Sequence, residues 1–383
     1  MAKKIDIPWV IQDQTIIKHQ LLEKYIGPWM NILYQQQARM KIKQHLMYVD
    51  GFSGPGYYWS NEQRNTTCIG SPLMVASKAN FYIGQNPNRK FDILCIDKEA
   101  QCVNLLAAKL AEQNIYKQDW KVVQAQFESE INSLLNNIES SRTKLPIFFF
   151  IDPFGYSDFS MNTIKRILQQ PLVELFINFM VYDIVRHCEN AQFYKNMEQL
   201  FGNTKFKEFN YGSPEQKQAY LINLYCENLR SIGGAKYVMP FRVNTPNMGT
   251  RPRFYLVHAS NNYKALTLMK DNMSKVSESP YGFEAIGIAS GQMSLFEDPQ
   301  KLELIKRILE FCEKRSQRPF EYDKIEEWAY VNTNGVSRTI KEALLVLEKE
   351  NVINIERLPK QRKNTVTSGA LINITGIALE HLF

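Results

Sequence analysis

The sequence predicts an α/β protein: a Rossmann-like, mostly parallel and doubly wound sheet with an antiparallel edge hairpin, followed by a winged helix. Three observations carry this reading. Short, nearly continuous apolar runs alternate with helix-like stretches through the first half of the chain. Such runs read as strands buried on both faces, and the alternation as a sheet with helices on both sides. Two further strand-like runs, "AKYVMPFRV" and "RFYLVHAS", are joined by the turn-rich "NTPNMGTRP" and predict the hairpin. Beyond a Gly-, Ser- and Pro-rich stretch, three helix-like segments precede two strand-like runs, which is the order of a winged helix.

Each element has its own signal. Ile17, Leu21, Leu22, Tyr25, Trp29, Ile32 and Leu33 recur at helical spacing and are interrupted at Gly27-Pro28, predicting two helices or one kinked helix. The predicted strands are "HLMYVD" (45–50), "FDILCID" (91–97), "WKVVQAQ" (120–126), "LPIFFFID" (145–152) and "LVELFINFM" (172–180). Between them "SPLMVASKANFYI", "EAQCVNLLAAKLAEQN", "ESEINSLLNNIESSR" and "MNTIKRILQQ" predict helices. A helical insertion is expected over about 184–232. The domains are therefore 1–290, Rossmann-like with N-terminal helices, and 300–383, the winged helix, with the linker at about Ser277 to Pro299. The wing strands "NVINIERL" and "TVTSGALINIT" flank the basic turn "PKQRK".

Composition excludes several classes. Of 383 residues, 44% are hydrophobic and 22% charged, as in folded proteins rather than disordered ones. No run approaches the roughly 20 apolar residues of a bilayer-spanning helix, and "MAKKIDIPWVIQDQ" lacks the apolar centre of a secretory signal, so the expected location is cytoplasmic. The six cysteines show no CxxC pair, and His and Cys show no zinc spacing, which predicts reduced thiols and no metal site. A formal charge of +7 favours an anionic partner such as nucleic acid.

The chemistry concentrates in two motifs. "DGFSGPG" (Asp50, Gly51, Phe52, Ser53, Gly54, Pro55, Gly56) begins where the first predicted strand ends, the edge at which doubly wound sheets bind ligands. Glycines let backbone approach a cofactor, and a strand-end carboxylate can accept hydrogen bonds from its ammonium group. Asp97 ends the next strand, where a second carboxylate would grip ribose hydroxyls. The insertion "YYWSNEQRNTTCIG" delays the first helix to Ser71-Pro72, a capping residue followed by proline. That delay argues against a nicotinamide or flavin pyrophosphate site, in which the glycines run directly into the helix. S-adenosylmethionine has no pyrophosphate and is the predicted cofactor; a glycine turn without a ligand is the competing reading.

"FFFIDPFGY" places Asp152, Pro153, Phe154 and Tyr156 after the fourth predicted strand, on the same edge. In enzymes that methylate exocyclic amino groups of bases, an Asp or Asn followed by Pro-Pro-aromatic accepts hydrogen bonds from the NH2 and stacks on the ring. Here Asp152 and the Pro153 carbonyl are the predicted acceptors, and Phe154 or Tyr156 the stacking ring. Gly155 replaces the usual aromatic, so a tight turn with Asp152 capping the next helix stays open as an alternative.

"KHQLLEKYIGPW", "YVDGFSGPG", "GSPLMVA", "FFIDPFGY", "YLVHASNNYKALTLMKDNM" and the terminal region together resemble the three-Cys-motif partner proteins, a bacterial and mobile-element family with a class I methyltransferase-like core. The resemblance spans most of the chain. It implies Asp50, Gly51, Gly54, Gly56 and Asp97 at the cofactor, Asp152, Pro153 and Phe154 at the chemistry, and Lys18, His19 and Ser71 over the site. It also implies a partner protein carrying a three-cysteine motif. The expected function is S-adenosylmethionine-dependent methylation of a nucleobase amino group in DNA or RNA, the alternative being a non-catalytic partner subunit that binds cofactor or nucleic acid. Arg186-His187 is read as a phosphate contact or a solvated helix start, Tyr25 and Trp29 as core. Arg338, Lys341, Lys360, Arg362 and Lys363 are the candidate nucleic-acid contacts of the winged helix.

Overall fold

A computed structural model of the chain describes residues 7–113, 118–141, 144–209, 212–244, 252–277, 284–286, 299–314 and 319–375. It divides into two compact units, Met1–Leu266 with Ala285–Ile288, and Thr267–Glu284 with Ala289–Phe383. The expected linker falls largely outside the described residues.

In chain order the first unit runs α1 (Asp13–Arg39), β1 (His45–Asp50), β2 (Tyr57–Trp59), β3 (Thr67–Ile69), α2 (Ser71–Gln85), β4 (Lys90–Asp97), α3 (Ala100–Glu112), β5 (Gln118–Gln124), α4 (Phe127–Ser140), β6 (Ile147–Ile151), α5 (Met161–Leu168) and β7 (Val173–Phe179). It continues through α6 (Val181–His187), α7 (Tyr194–Phe201), α8 (Pro214–Ser231), β8 (Tyr237–Asn244), β9 (Pro252–Ser260), the start of α9 (Tyr263–Val276) and β10 (Glu284–Ile286). The eight-stranded sheet has the order β10-β8-β9-β7-β6-β1-β4-β5. Strands β5, β4, β1, β6 and β7 are parallel; β9 pairs antiparallel with both β7 and β8. The hairpin β8–β9 therefore enters the sheet with β9 inside and β8 outside, and the short β10, within the predicted linker, lies beyond β8.

Every residue of β6 and β7 is buried, which is why neither alternates: β6 is continuously apolar, and β7 is apolar except for Glu174 and Asn178. Successive side chains of β6 face opposite layers. Phe148 meets Tyr25 and Trp29 of α1, whereas Phe149 joins a core with Phe127, Ile131 and Leu135 of α4 and Ile164 of α5. Helix α1 is one helix across Gly27-Pro28, with Pro28 exposed inside it, so the predicted break does not divide it. Its length carries it across the sheet: Lys18 lies over the carboxyl edge, and the Tyr34 hydroxyl donates to Lys90 O at the opposite edge, 2.9 Å away. Tyr25 and Trp29 are core residues, and both donate to the buried Glu174.

The second unit includes most of α9, then α10 (Pro299–Glu313), β11 (Phe320–Glu321), α11 (Tyr322–Asn332), α12 (Ser337–Lys349), β12 (Ile353–Glu356) and β13 (Leu371–Ile374). Its antiparallel sheet has the order β11-β13-β12, and Ile308, Ile325, Ile340, Leu344 and Ile372 form its buried centre. All six cysteines are free. No helix among the described residues is long and apolar enough to cross a membrane.

Candidate functional site

The site is built where β1 ends, because β1 is hydrogen-bonded to a strand on each side. Gly51 N–H donates to Phe150 O of β6 at 2.9 Å, and Ser53 N–H to Ile96 O of β4 at 3.0 Å. The loop is thus pinned to both neighbours. Gly54 and Gly56 have φ of +58° and +79°, a conformation that side chains with a Cβ rarely adopt. The glycine requirement is partly internal: a Cβ on Gly51 would lie 2.6 Å from the Phe127 ring, and one on Gly56 would lie 2.5 Å from Leu106 Cδ1. Phe52 is turned inward and stacks on Phe127, with ring centroids 5.3 Å apart.

The carboxylates of adjacent strands close over this loop. Asp97, at the end of β4, accepts from Gly54 N–H at 2.9 Å and Glu99 N–H at 2.8 Å, so it braces the loop and the start of α3. Burial raises its pKa, opposed by those two N–H groups. Asp50 is 0% exposed. Its Oδ2 accepts from the Tyr48 hydroxyl (2.9 Å) and the Ser71 hydroxyl (2.7 Å), while Oδ1 takes only a long 3.4 Å contact from Phe52 N–H. Burial pushes this carboxyl up to about 7, against the pull of Ser71 and Tyr48 and with a further push from Asp152. Ser71 does not cap α2 as the sequence predicts; Gly70 is the N-cap, and the Ser71 hydroxyl is committed to Asp50.

Asp152 follows β6 beside them. Lys18 of α1 places its ammonium 2.8 and 2.6 Å from the two carboxylate oxygens, and Asn178, near the end of β7, donates to Oδ1 at 2.6 Å. The capping alternative for Asp152 fails: α5 begins at Met161 and is capped by Ser160. Pro153 is buried. Phe154 is 66% exposed. Tyr156 is buried against His187, 5.6 Å between centroids, so of the two predicted stacking rings only Phe154 is presented. Arg186 and His187 lie in the last turn of α6, not at a helix start, and face the Tyr182 and Phe193 rings.

A wall of rings stands over the carboxylates. Residues 9–11 run alongside Trp59: Trp59 N–H donates to Trp9 O at 3.0 Å and Ile11 N–H to Trp59 O at 2.8 Å. Trp9 meets Tyr58 (5.9 Å) and Phe154 (5.4 Å) edge-on and lies 3.7 Å from where a Gly54 Cβ would be. His19 is 5.7 Å from Tyr58, and burial followed by the Lys18 charge lowers its pKa to about 4, so it is neutral at physiological pH. Burial and the charges of Asp152 and Asp50 raise the Tyr58 pKa. Sequence reasoning missed Trp9, Tyr48, Tyr58 and Asn178. Asn178 had a signal: with Glu174 it is one of two polar residues in a predicted apolar strand, and it lies near the carboxyl end, at the depth of the strand-end aspartates. Trp9 had none, since its contacts are tertiary. Among the described residues, no three His, Cys, Asp or Glu side chains are grouped to hold a metal ion.

No family model and no curated protein matches this chain. Among solved structures it is similar to a protein from Legionella pneumophila str. Philadelphia 1, at 12% identity and TM-score 0.37, covering 65% of this chain and 85% of that one. A putative rRNA-methylase from Clostridium thermocellum is similar at 13% identity and TM-score 0.28, covering 59% and 96%. An rRNA methylase from Streptococcus thermophilus is similar at 10% identity and TM-score 0.30, covering 66% and 98%. At scores this low the functional reading rests on the geometry of the chain itself.

Proposed function

We propose that this chain is an S-adenosylmethionine-dependent methyltransferase acting on an exocyclic amino nitrogen of a nucleobase in DNA or RNA. One observation carries the reading. The glycine loop, Asp50, Asp97 and Asp152 converge at the carboxyl ends of three adjacent parallel strands, where the chain reverses its direction of travel across the sheet. The strand order, with antiparallel β9 between β7 and β8, supports a class I methyltransferase core. The order α10-β11-α11-α12-β12-β13 supports a winged helix after it.

In this reading the loop held by Asp97 cradles the cofactor, and the buried charge of Asp50 favours its cationic amino-acid end. Asp152 and its neighbours orient the amine, and Phe154 stacks on the base. Catalysis is positional, because the amine can lose its proton after methyl transfer, so no strong base is needed. The test is calorimetry with S-adenosylmethionine, joined to radiolabelled methyl transfer onto single- and double-stranded DNA and RNA. Asp152→Ala should bind cofactor and lose transfer, whereas Asp97→Ala should loosen the loop and weaken cofactor binding. Absence of cofactor affinity in the wild type sinks the proposal.

The Lys18 ammonium on Asp152 favours a second reading, a non-catalytic subunit in which that carboxylate is permanently neutralised. Cofactor binding without transfer to any nucleic acid, together with co-purification with a three-Cys-motif protein, would select it.

A further inference from the structure

Asn178 is 3% exposed at the end of β7, and the reading above gives it no role beyond its contact with Asp152. Its amide nitrogen donates to Asp152 Oδ1 at 2.6 Å and lies 3.3 Å from Met180 Sδ. Asp152 also receives the Lys18 ammonium on both oxygens, so it is an ionised, acceptor-only partner, and only the NH2 of Asn178 can face it. The amide is thereby fixed in orientation. Its Oδ1 is turned away from Asp152, buried, and without a hydrogen-bond partner among the described residues. Leaving a buried acceptor unpaired costs about 1–3 kcal/mol, and buried polar groups in folded proteins are almost always satisfied. The amide that carries this unpaired oxygen sits against the strand-end carboxylate of Asp152.

We propose that Asn178 Oδ1 accepts the hydrogen bond from the substrate's amino group, while Asp152, held by Lys18, positions Asn178 from behind. The assignment rests on the reading of the site as an amino-methyltransferase. The amine lone pair forms the new N–CH3 bond as the S–CH3 bond of the sulfonium donor breaks, and the bonding pair stays on sulfur as a neutral thioether. Positive charge develops on the nitrogen, so an N–H···O=C bond to Asn178 strengthens in the transition state. Asn178 does not take the proton, which leaves to water after transfer. An acceptor at this point also sets specificity: a base with a carbonyl in place of the amine brings an oxygen against Oδ1 and leaves it unpaired.

The test uses the full chain with S-adenosylhomocysteine and fluorescent single-stranded oligonucleotides in matched pairs, adenine against hypoxanthine and cytosine against uracil. The wild type should prefer the amino member of at least one pair by about tenfold or more, the scale of one lost buried hydrogen bond. Asn178→Ala and Asn178→Leu, which differ in volume but both lack the acceptor, should reduce that preference to within about threefold. Both variants should remain folded, with a melting temperature lowered by the lost Asn178–Asp152 hydrogen bond, and keep S-adenosylhomocysteine affinity near that of the wild type. Retained preference in a folded variant overturns the assignment, as does a wild type that binds cofactor but discriminates neither pair. Loss of cofactor affinity in both variants makes Asn178 structural and overturns it too. A wild type that binds no cofactor removes the functional reading itself.

Discussion

The pH dependence that Asp50 contributes follows from its burial. An ordinary aspartate ionises near 3.9, whereas burial holds this one at about 7. Between those values the folded chain keeps a proton that the unfolded chain has released, so this group makes stability fall as pH rises from about 4 to 7 and level off above. Asp50→Asn removes the titration, and its stability relative to wild type should rise across that window by a few kcal/mol, at most about 1.4 for each step of one in pH. Urea unfolding at pH 5 and pH 8 reads the difference; equal gaps at the two pH values would mean that Asp50 ionises normally. A cationic cofactor favours the ionised form, so its affinity should grow between pH 6 and 8, at most about tenfold per step of one in pH. Lys18 is the complementary case. Lys18→Met leaves the Asp152 charge without its cation and should cost about 3 kcal/mol or more, much of it regained in Lys18→Met/Asp152→Asn. A double variant no more stable than Lys18→Met would show that the ion pair is not what Lys18 contributes.

At the scale of elements, the loop after β1 is shaped by its own packing as much as by any ligand. Gly51→Ala drives a methyl into the Phe127 ring and should destabilise by about 1–3 kcal/mol. Phe127→Leu should recover part of that loss in the double variant, and additive effects in denaturant melts would show that the ring is not the obstacle. This coupling also marks what the sequence could and could not reveal. Strands β1, β4, β6 and β7 were legible because burial on both faces leaves a largely apolar run with no competing period, and the ends of β1, β4 and β6 located Asp50, Asp97 and Asp152. The hairpin β2–β3 was not, being two three-residue strands in a polar insertion, nor was β10, of three residues. Gly27-Pro28 misleads because α1 turns Pro28 outward while Tyr25, Ile26, Trp29 and Met30 bury the opposite face, and that packing outweighs the local penalty. Why Gly56 must be glycine was unreadable for a different reason: the obstacle, Leu106, is supplied from α3, fifty residues on in the sequence.

For the molecule as a whole, the excess of +7 is less informative than where cations stand without partners. Lys18 is bound to Asp152, Arg338 on α12 to Glu342 at 2.9 Å, and Arg357 to Glu348. Lys360, Arg362 and Lys363, between β12 and β13, are exposed and have no acidic partner among the described residues. If the proposed nucleic-acid contact uses this unit, its charge therefore comes from that connection more than from α12. Phosphate contacts of this kind carry affinity and salt dependence but no base specificity. Replacing the three by Gln in the full chain should flatten the slope of log K against log salt for duplex DNA by about 2–3, near 0.9 per lost contact, and weaken unrelated sequences alike. Arg338→Gln should change the slope by much less, because Glu342 already neutralises that guanidinium. An unchanged slope in the triple variant would move the contact off the wing. A sequence-dependent loss would mean that the connection reads bases rather than backbone.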